Sequence, residues 1–257
     1  MEDKIRTELF ELEREKPIHL VNARERGSRM LGVSHDESDY DVLFLFAQDA
    51  AQYAKLDGHI DSIHDPQRGE DGLIDLHGWN IDKFAQLAAD SNPNAVEYCR
   101  PDANEYITFH GGGTFDAIEN ELQNNFNHMA LYHHYISMAK SNYKKYVESG
   151  NDCTKGRQFY VARAIGCAHY IRTVGELPPM NAIELADELH ETHDNLAATL
   201  GYLSVEKING RGTDEHEDVV GRFYTEESDA SMDPTDERIY QPDRQTIDAF
   251  IERSVVR

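Results

Sequence analysis

The stretch of sequence that decides the fold covers residues 27–46 and reads GSRMLGVSHDESDYDVLFLF. Its last seven residues, YDVLFLF, are mainly aromatic, aliphatic or β-branched, and they predict a buried β-strand over residues 40–46. Gly27 and Ser28 open a turn or short helix before that strand. Glycine lets the backbone approach a phosphate closely, and free N–H groups at a helix start hold phosphate oxygens together with a serine hydroxyl. The stretch therefore predicts a phosphate-binding turn next to a buried strand.

Two carboxylates at the start of this strand suggest a cation site. Asp39 and Asp41 are two residues apart, so on a strand their side chains point to the same face. Adjacent carboxylates repel one another, and burying them is costly unless a cation lies between them. Mg²⁺ is the natural cation, because it prefers oxygen ligands and shares its coordination shell with substrate phosphates. The alternative is that Asp39 caps a turn and Asp41 is solvated at the strand end.

A third carboxylate lies on the next predicted strand, residues 73–79, which read LIDLHGW. If this strand pairs with residues 40–46, Asp75 reaches the same face as the first two carboxylates. His77 is two residues further along and shares that face. Two carboxylates can hold metal while a third shares it and accepts a proton from an attacking hydroxyl. That is the arrangement for in-line phosphoryl transfer with two metal ions.

The first hundred or so residues alternate predicted helices and strands, which favours an α/β sheet layer. Beside the two strands above, the sequence predicts a helix over residues 3–15, a strand over residues 17–24, a helix that begins after Asn80 and another that begins at Asn92-Pro93, whereas residues 49–69 read as irregular.

The remainder of the chain has the helical spacing of apolar and aromatic residues. Predicted helices cover residues 114–148, residues 156–174, a segment that starts with a capping box at residues 181–184, and residues 242–255, with an acidic loop over residues 209–237. Three consecutive glycines at residues 111–113 suggest a link between the halves. We therefore expect an α+β protein with an α/β domain over residues 1–105 and a helical region over residues 106–257.

The charge of the chain limits its partners. Of 257 residues, 48 are acidic and 25 are basic (16 Arg and 9 Lys), so the formal net charge is −23. This argues against broad electrostatic binding of nucleic acid at low salt, although it leaves room for a local basic pocket that binds a nucleotide. A diffuse acidic surface with few lysines predicts adaptation to high salt, since the Debye length falls to about 3 Å at 1 M and self-repulsion is screened.

Salt adaptation gives a direct prediction. The melting temperature should rise when KCl is increased from low to molar concentration, because screening relieves the repulsion among the excess carboxylates. Thermal unfolding followed by circular dichroism in both salts measures the effect. A melting temperature that stays flat or falls would exclude the adaptation.

Composition also limits the compartment. No run approaches the roughly 18 apolar residues of a membrane helix, and the N-terminal MEDKIRTELFELEREK has no apolar signal region. The three cysteines, Cys99, Cys153 and Cys167, are too few and too scattered for a disulfide scaffold. We therefore expect a cytoplasmic protein without a membrane partner, whose oligomeric state the sequence leaves open.

The order of the motifs resembles that of the DNA polymerase beta nucleotidyltransferase superfamily: Gly-Ser, then Asp-x-Asp beginning 11 positions after Ser28, then a strand-borne Asp. The similarity is closest to its branch of predicted nucleotidyltransferases associated with RNA repair (the RlaP type, YcgL-like). The motifs that carry the resemblance are Glu25-x-Gly27-Ser28-Arg29, Ser38-Asp-Tyr-Asp-Val42, Asp75-x-x-Gly78-Trp79 and Asn92-Pro-x-x-x-Glu97, with softer matches at residues 134–146, at Tyr160 and Arg163, and at Pro178-Pro179-Met180. It covers most of residues 17–190.

The resemblance implies a polymerase-beta-type mixed sheet flanked by helices, followed by a helical region that completes the nucleotide site. It implies magnesium-dependent transfer of a nucleoside monophosphate from a nucleoside triphosphate to a hydroxyl acceptor. Asp39 and Asp41 would bind two Mg²⁺ ions, for which Mn²⁺ can substitute, and Asp75 would bind the catalytic one. The triphosphate would be held by Gly27, Ser28 and Arg29.

The helical region offers further nucleotide contacts. Lys140 and Lys144 are four residues apart on one predicted helix face and are candidate triphosphate contacts. Tyr160 and Arg163 are three apart and are candidates for contact with base or phosphate. The alternatives are a solvated helix surface for the lysines, packing for Tyr160 and a salt bridge for Arg163.

The acceptor is open at this point. An RNA end is one candidate, given the association of the branch with RNA repair. A protein hydroxyl, as in antitoxin-like relatives, is a second. A catalytically silent relative that binds a nucleotide or a partner protein is a different class, and the presence of all three carboxylates favours the enzyme over it.

Overall fold

The computed structural model of the protein describes residues 1–69, 71–100, 104–108, 114–150, 152–230, 232 and 240–255. Contacts divide the chain into two compact units. The first unit comprises Met1–Met30, Ser38–Phe126 and Gln241–Arg257, and the second comprises Leu31–Glu37 and Asn127–Tyr240. The boundary expected after residue 105 lies inside the first unit, because helices from later in the chain pack on its sheet.

The strands are β1 (His19–Arg26), β2 (Tyr40–Ala47), β3 (Ser62–Arg68), β4 (Ile74–Asn80) and β5 (Glu105–Ile107). They form one mixed sheet in the order β3-β4-β2-β1-β5, in which β2 and β4 are parallel and the other neighbours are antiparallel. The expected α+β fold with a mixed sheet is confirmed.

The helices in the described part of the chain are α1 (Glu2–Glu15), α2 (Gly27–Met30), α3 (Ala50–Tyr53), α4 (Ile81–Ala89), α5 (Pro93–Tyr98), α6 (Thr114–Asn124), α7 (His128–Asn142), α8 (Lys155–Thr173), α9 (Ala182–Ile208), α10 (Gly221–Asp229) and α11 (Arg244–Ser254), with a π-helical turn at Tyr143–Glu148. Within the described residues, none of these helices has both the length and the apolar character needed to cross a membrane.

The central strand β2 is buried on both faces, which is why it reads as a continuous apolar run. Val42, Phe44 and Phe46 lie in one core with the apolar side of α1. Leu43 and Leu45 lie in the opposite core, with α4, α5, α6 and α11. Because side chains alternate along β2, Asp41 lies on the same face of the sheet as Leu43 and Leu45.

Gly78 on β4 allows the ring of Phe44 to pack against the strand. A Cβ at residue 78 would lie 2.3 Å from Cζ of Phe44, which is fully buried. We expect Gly78→Ala to lower the free energy of unfolding by about 1–3 kcal/mol through overpacking. Urea denaturation of the single and double variants with Phe44→Leu measures it. If Gly78→Ala costs the same in both backgrounds, the ring contact is not the cause.

The second unit is centred on α8. This helix packs against both α7 and α9, and its residues 161–171 are all buried, so it is covered around its whole circumference, as expected of a central helix. The predicted cap of α9 is confirmed: the side-chain oxygen of Asn181 accepts hydrogen bonds from the N–H groups of Ile183 (2.9 Å) and Glu184 (3.4 Å).

A buried ion pair fixes α10 on α8. Glu227 accepts hydrogen bonds from Nε and Nη2 of Arg172, at 2.8 and 2.7 Å, and lies 3.1 Å from Nδ1 of His169. Burial alone would raise the pKa of Glu227, but the hydrogen bonds from Arg172 and His169 hold it below its ordinary value. The pair stabilises a helix that buries few apolar side chains.

Two predictions of irregular structure were wrong. Residues 49–69 contain α3 and β3, and residues 209–237 contain α10. In β3 only Ile63 is buried and Pro66 interrupts the segment, so its sequence has no strand pattern; pairing with β4 makes it a strand. The predicted glycine link at residues 111–113 lies outside the described residues.

Candidate active site

Asp41 and Asp75 lie next to each other near the starts of β2 and β4. The parallel register pairs Asp41 with Asp75, and adjacent strands are about 4.8 Å apart. Both residues are half-buried. They line a cavity of about 130 Å³, here called the carboxylate cavity, whose lining residues are Arg26, Gly27, Asp41, Val42, Asp75 and His77. The condition set for Asp75, that its strand pairs with the strand of Asp41, is met.

Gly27 forms the wall of the cavity that faces Asp41. Its φ of +68° lies in the left-handed region, which glycine adopts without steric cost. A Cβ at this position would lie 1.9 Å from Oδ2 of Asp41. The absence of a side chain at residue 27 therefore leaves the space that the carboxylate occupies. Ser28 follows within α2 but does not line the cavity.

Arg26 supplies a positive charge at the cavity, and the sequence analysis did not single it out. It is the last residue of β1 and pairs with Asp41 across the β1–β2 register. Its guanidinium donates a hydrogen bond to Oδ1 of Asn94 and lies 5.8 Å from the centroid of the Trp79 ring. In the sequence, its position directly before Gly27 is the one feature that indicates a place at the cavity.

Asp75 and His77 are oriented by the edge strand β3. Oδ1 of Asp75 accepts a hydrogen bond of 2.8 Å from the N–H of Gln67. The ring of His77 stacks on His64, with centroids 4.3 Å apart. Partial removal from water lowers the pKa of His77, His64 and Arg26 act in the same direction, and Asp75 opposes them.

The donor set of the carboxylate cavity fits a magnesium ion that is shared with a substrate. Among the residues that the structure describes, no group of three His, Cys, Asp or Glu side chains is arranged to hold a metal ion alone. Mg²⁺ is commonly held by one or two carboxylates and completes its shell with water and substrate phosphates. Asp41 and Asp75 supply that pair of hard oxygen ligands.

Asp39 and Arg29 lie beside the cavity rather than in it. Asp39 is exposed and precedes β2 by one residue, so the expectation that it lies on the strand was wrong. The guanidinium of Arg29 donates hydrogen bonds to the carbonyl oxygens of Ser38 (2.7 Å) and Asp39 (3.2 Å) and lies over the ring of Tyr40. Because these carbonyl oxygens bond to Arg29, residues 38 and 39 do not continue the hydrogen bonding of β2. Arg29 therefore holds this segment in place.

Two motif residues around the cavity have structural contacts. Oε1 of Glu25 accepts a hydrogen bond of 3.0 Å from the hydroxyl of Tyr106, which ties β1 to β5. The side-chain oxygen of Asn92 accepts a hydrogen bond of 3.0 Å from the N–H of Asn94 and so caps α5. Since Asn94 in turn holds Arg26, the Asn-Pro motif supports the cavity indirectly.

The four residues predicted in the helical region lie in different surroundings. Lys140 is exposed at the end of α7, and Lys144 is exposed in the π-helical turn, so the two do not share one α-helix. Arg163 is buried and its Nη2 lies 3.9 Å from Sδ of Met180. Tyr160 is half-buried and lines a second cavity, of which Arg163 is not part.

The chain is of the DNA polymerase beta-like nucleotidyltransferase kind, which a match to a family sequence model shows. Within that class, the chain belongs to the RlaP family, described as the RNA repair pathway DNA polymerase beta family, whose sequence model matches residues 1–253. This match extends through both compact units.

Two individual proteins illustrate the similarity. The chain is 30% identical over 239 residues to a Bacillus subtilis (strain 168) protein called uncharacterized protein YcgL, and the match covers 92% of this chain and 89% of that one. The crystal structure of a nucleotidyltransferase-like protein from Exiguobacterium sibiricum 255-15 matches with a TM-score of 0.35 at 12% identity, over 82% of this chain and 73% of that one.

Proposed function

We propose that this protein transfers a nucleoside monophosphate from a nucleoside triphosphate to a hydroxyl group of an acceptor. The observation that carries the proposal is the in-register pair of Asp41 and Asp75 beside Gly27, in a chain of the RlaP family. Paired carboxylates beside a close-approach turn are suited to holding a cation and a phosphate group together.

Residues in the carboxylate cavity and beside it have separate parts in this reaction. Asp41 and Asp75 would hold the cations, with Asp39 as the third carboxylate, from the segment that Arg29 positions. The turn at Gly27 and Ser28 takes the phosphate oxygens on its N–H groups and the serine hydroxyl. Arg26 balances the negative charge that the phosphates bring to the cavity.

The bond changes follow from this placement. The acceptor oxygen forms a bond to the α-phosphorus, and the bond from that phosphorus to the oxygen that bridges to the β-phosphate breaks, so pyrophosphate leaves. Asp75 takes the proton of the acceptor hydroxyl. Two Mg²⁺ ions, or Mn²⁺ in their place, would neutralise charge on both the attacking and the leaving oxygens when bound.

The acceptor class is the finer part of the proposal. An RNA end is the acceptor that we propose first, and a protein hydroxyl is the alternative. We place the reaction in the cytoplasm, where cysteines that form no disulfide stay reduced.

Incubation with each α-labelled nucleoside triphosphate and magnesium, in molar KCl, tests the proposal. Total RNA and total protein serve as acceptors in separate reactions. Label in RNA supports the proposal in full, and label in a protein band supports transfer with the alternative acceptor. Nucleotide binding without transfer to either would overturn it in favour of a binding protein.

A further inference from the structure

The second compact unit contains a long stretch of chain without carboxylates. No Asp or Glu occurs between Glu121 and Glu148, although 48 of the 257 residues of the chain are acidic. Three of the nine lysines, Lys140, Lys144 and Lys145, lie in this stretch. Positive charge is therefore concentrated at one place in a chain whose formal net charge is −23.

The backbone places these lysines on one side of a continuous helical segment. Helix α7 passes directly into the π-helical turn Tyr143–Glu148, and short π-helical segments are frequent at functional sites. The exposed residues of α7 recur at helical spacing and so form one face, which continues into the turn. We call this the lysine face, and its residues are His133, Ser137, Lys140, Ser141, Lys144 and Lys145.

No carboxylate neutralises the lysines of this face. Neither Lys140 nor Lys144 forms an ion pair with any residue that the structure describes. Nζ of Lys145 lies 4.7 Å from the centroid of the Tyr146 ring, a contact that leaves its charge in place. Glu148, the first acidic residue after the lysines, is exposed and pairs with none of them in the described part of the chain.

Two carboxylates of helix α10, which packs against α7, are held by other groups. Glu227 accepts hydrogen bonds from Nε and Nη2 of Arg172, at 2.8 and 2.7 Å. Oε2 of Glu226 lies 3.3 Å from Nε2 of His193. The lysine face therefore keeps its three positive charges.

An aromatic pair adjoins the lysine face. Tyr143 directly precedes Lys144, and its ring stacks on that of Tyr224 with the centroids 4.9 Å apart. The hydroxyl of Tyr143 donates a hydrogen bond of 2.8 Å to Asp218, which fixes the ring. Both tyrosines are only half-buried. A positively charged surface with aromatic rings beside it is the combination that binds single-stranded nucleic acid.

The length of the lysine face favours a strand over a single nucleotide. Residues 133 to 145 span about 18 Å, at about 1.5 Å per residue. Successive phosphates of one strand are about 3.4 Å apart along the axis, so the face accommodates about five of them, more than a triphosphate has. A duplex would bring a second row of phosphates towards the acidic surface of the chain, whereas a single strand can follow the face alone.

We propose that the lysine face binds the phosphate backbone of a single-stranded nucleic acid, with one base against the open part of the Tyr143 ring. The inference rests on the proposed function, in which this strand is the RNA acceptor. Because lysines contact the backbone and stacking tolerates every base, the surface has little preference for sequence.

Fluorescence anisotropy of a labelled RNA strand of about 12 nucleotides, without magnesium or triphosphate, tests the inference. KCl is raised from about 0.2 M over the range in which circular dichroism shows the protein folded. With three phosphate contacts, the logarithm of the binding constant should fall with the logarithm of the KCl concentration at a slope of about −2. Lys140→Gln and Lys144→Gln should each make the slope about 0.7 shallower, which at 0.2 M weakens binding about threefold.

Three results would overturn the inference. The first is that the wild-type protein does not bind the RNA strand. The second is that neither lysine substitution changes the slope, because the phosphates then lie elsewhere. The third is tighter binding of a duplex of the same sequence than of the single strand.

Lys55→Gln is the matched control. Lys55 is an exposed lysine of the first unit, and its Nζ bonds to Oε1 of Gln52, at 3.2 Å, rather than to a carboxylate. Its substitution changes the net charge by the same amount as each substitution on the lysine face. The variant should bind RNA as the wild type does. If it weakens binding as much as Lys140→Gln, the effect is one of overall charge, and the inference is wrong.

Two further comparisons separate this inference from the proposed function. If the two variants of the lysine face weaken binding of a nucleoside triphosphate and leave RNA binding unchanged, the inference fails and the proposed function stands. The double variant of Asp41→Asn and Asp75→Asn should lose transfer and bind RNA as tightly as the wild type. RNA binding through the lysine face by a wild-type protein that transfers no label would support the inference and overturn the proposed function.

Discussion

Asp41→Asn is expected to slow nucleotidyl transfer by about 10²–10³-fold, because it removes one of the negative charges that would hold the cation at the reacting phosphate. Asparagine has nearly the same shape, so the space beside Gly27 stays filled. Asp75→Asn should slow transfer to a similar extent. Its side-chain oxygen can still accept the hydrogen bond from Gln67, so the local structure is kept. Initial rates of α-label transfer at saturating triphosphate measure both losses.

Asp61→Asn is the control for these variants. Asp61 is an exposed carboxylate that pairs with Lys83 at 2.6 Å, and it does not line the carboxylate cavity. It should transfer label as the wild type does. Unfolding curves in molar KCl confirm that each variant is folded. If folded Asp41→Asn transfers at the wild-type rate, the assignment of the active site is wrong.

Gly27→Ala should damage both the site and the fold. At φ of +68° an alanine is strained, and its Cβ would overlap Oδ2 of Asp41, so the carboxylate must move. We expect a loss of about 1–3 kcal/mol in the free energy of unfolding. We expect transfer to fall about 100-fold, as is typical for a displacement of about 1 Å at a reacting group. Urea denaturation and rate measurements test the two effects separately.

Gly150→Ala isolates the backbone strain from the clash with Asp41. Gly150 has φ of +67°, and nothing lies within 4 Å of a Cβ placed there. This variant should lose only the part of the stability that is due to strain and should keep full transfer activity. If Gly27→Ala also keeps full activity, contact between residue 27 and the carboxylate does not matter for the reaction.

The sequence predicts those residues of the candidate site whose positions follow from local sequence patterns. Asp41 stands at the start of an apolar run and Asp75 lies between two apolar residues, and the period of two residues along a strand fixes the face on which each lies. The turn at Gly27 is likewise visible, because a glycine and a serine directly follow a strand. Pairing of β2 with β4 then brings the carboxylates together.

The parts that the sequence does not predict depend on partners far along the chain. β3 is a strand because it pairs with β4, although its own residues are mainly polar. α11 joins the first unit by packing against α4 and α6, which its own helical pattern does not specify. Arg26 becomes a cavity residue only through Asn94 and Trp79, more than fifty residues away.

In the helical region, too, the cavity lined by Tyr160 depends on residues that are far apart in the sequence. Tyr160 and Lys207 come from α8 and α9, and no local pattern links residues so far apart. The spacing of Tyr160 and Arg163 suggested a shared role, yet the first lines a cavity and the second is buried next to Met180. Side chains three residues apart on a central helix face different neighbours once that helix is surrounded.

The central claim is that this chain moves the α-phosphoryl group with its nucleoside, and one measurement tests it most directly. Parallel reactions receive the same nucleoside triphosphate labelled at either the α- or the γ-phosphorus, with magnesium, molar KCl and total RNA. The account predicts that α-label enters the acceptor while γ-label leaves as pyrophosphate, and that Asp41→Asn reduces both. Entry of γ-label into the acceptor, or release of γ-label as phosphate with no α-label transferred, would contradict it.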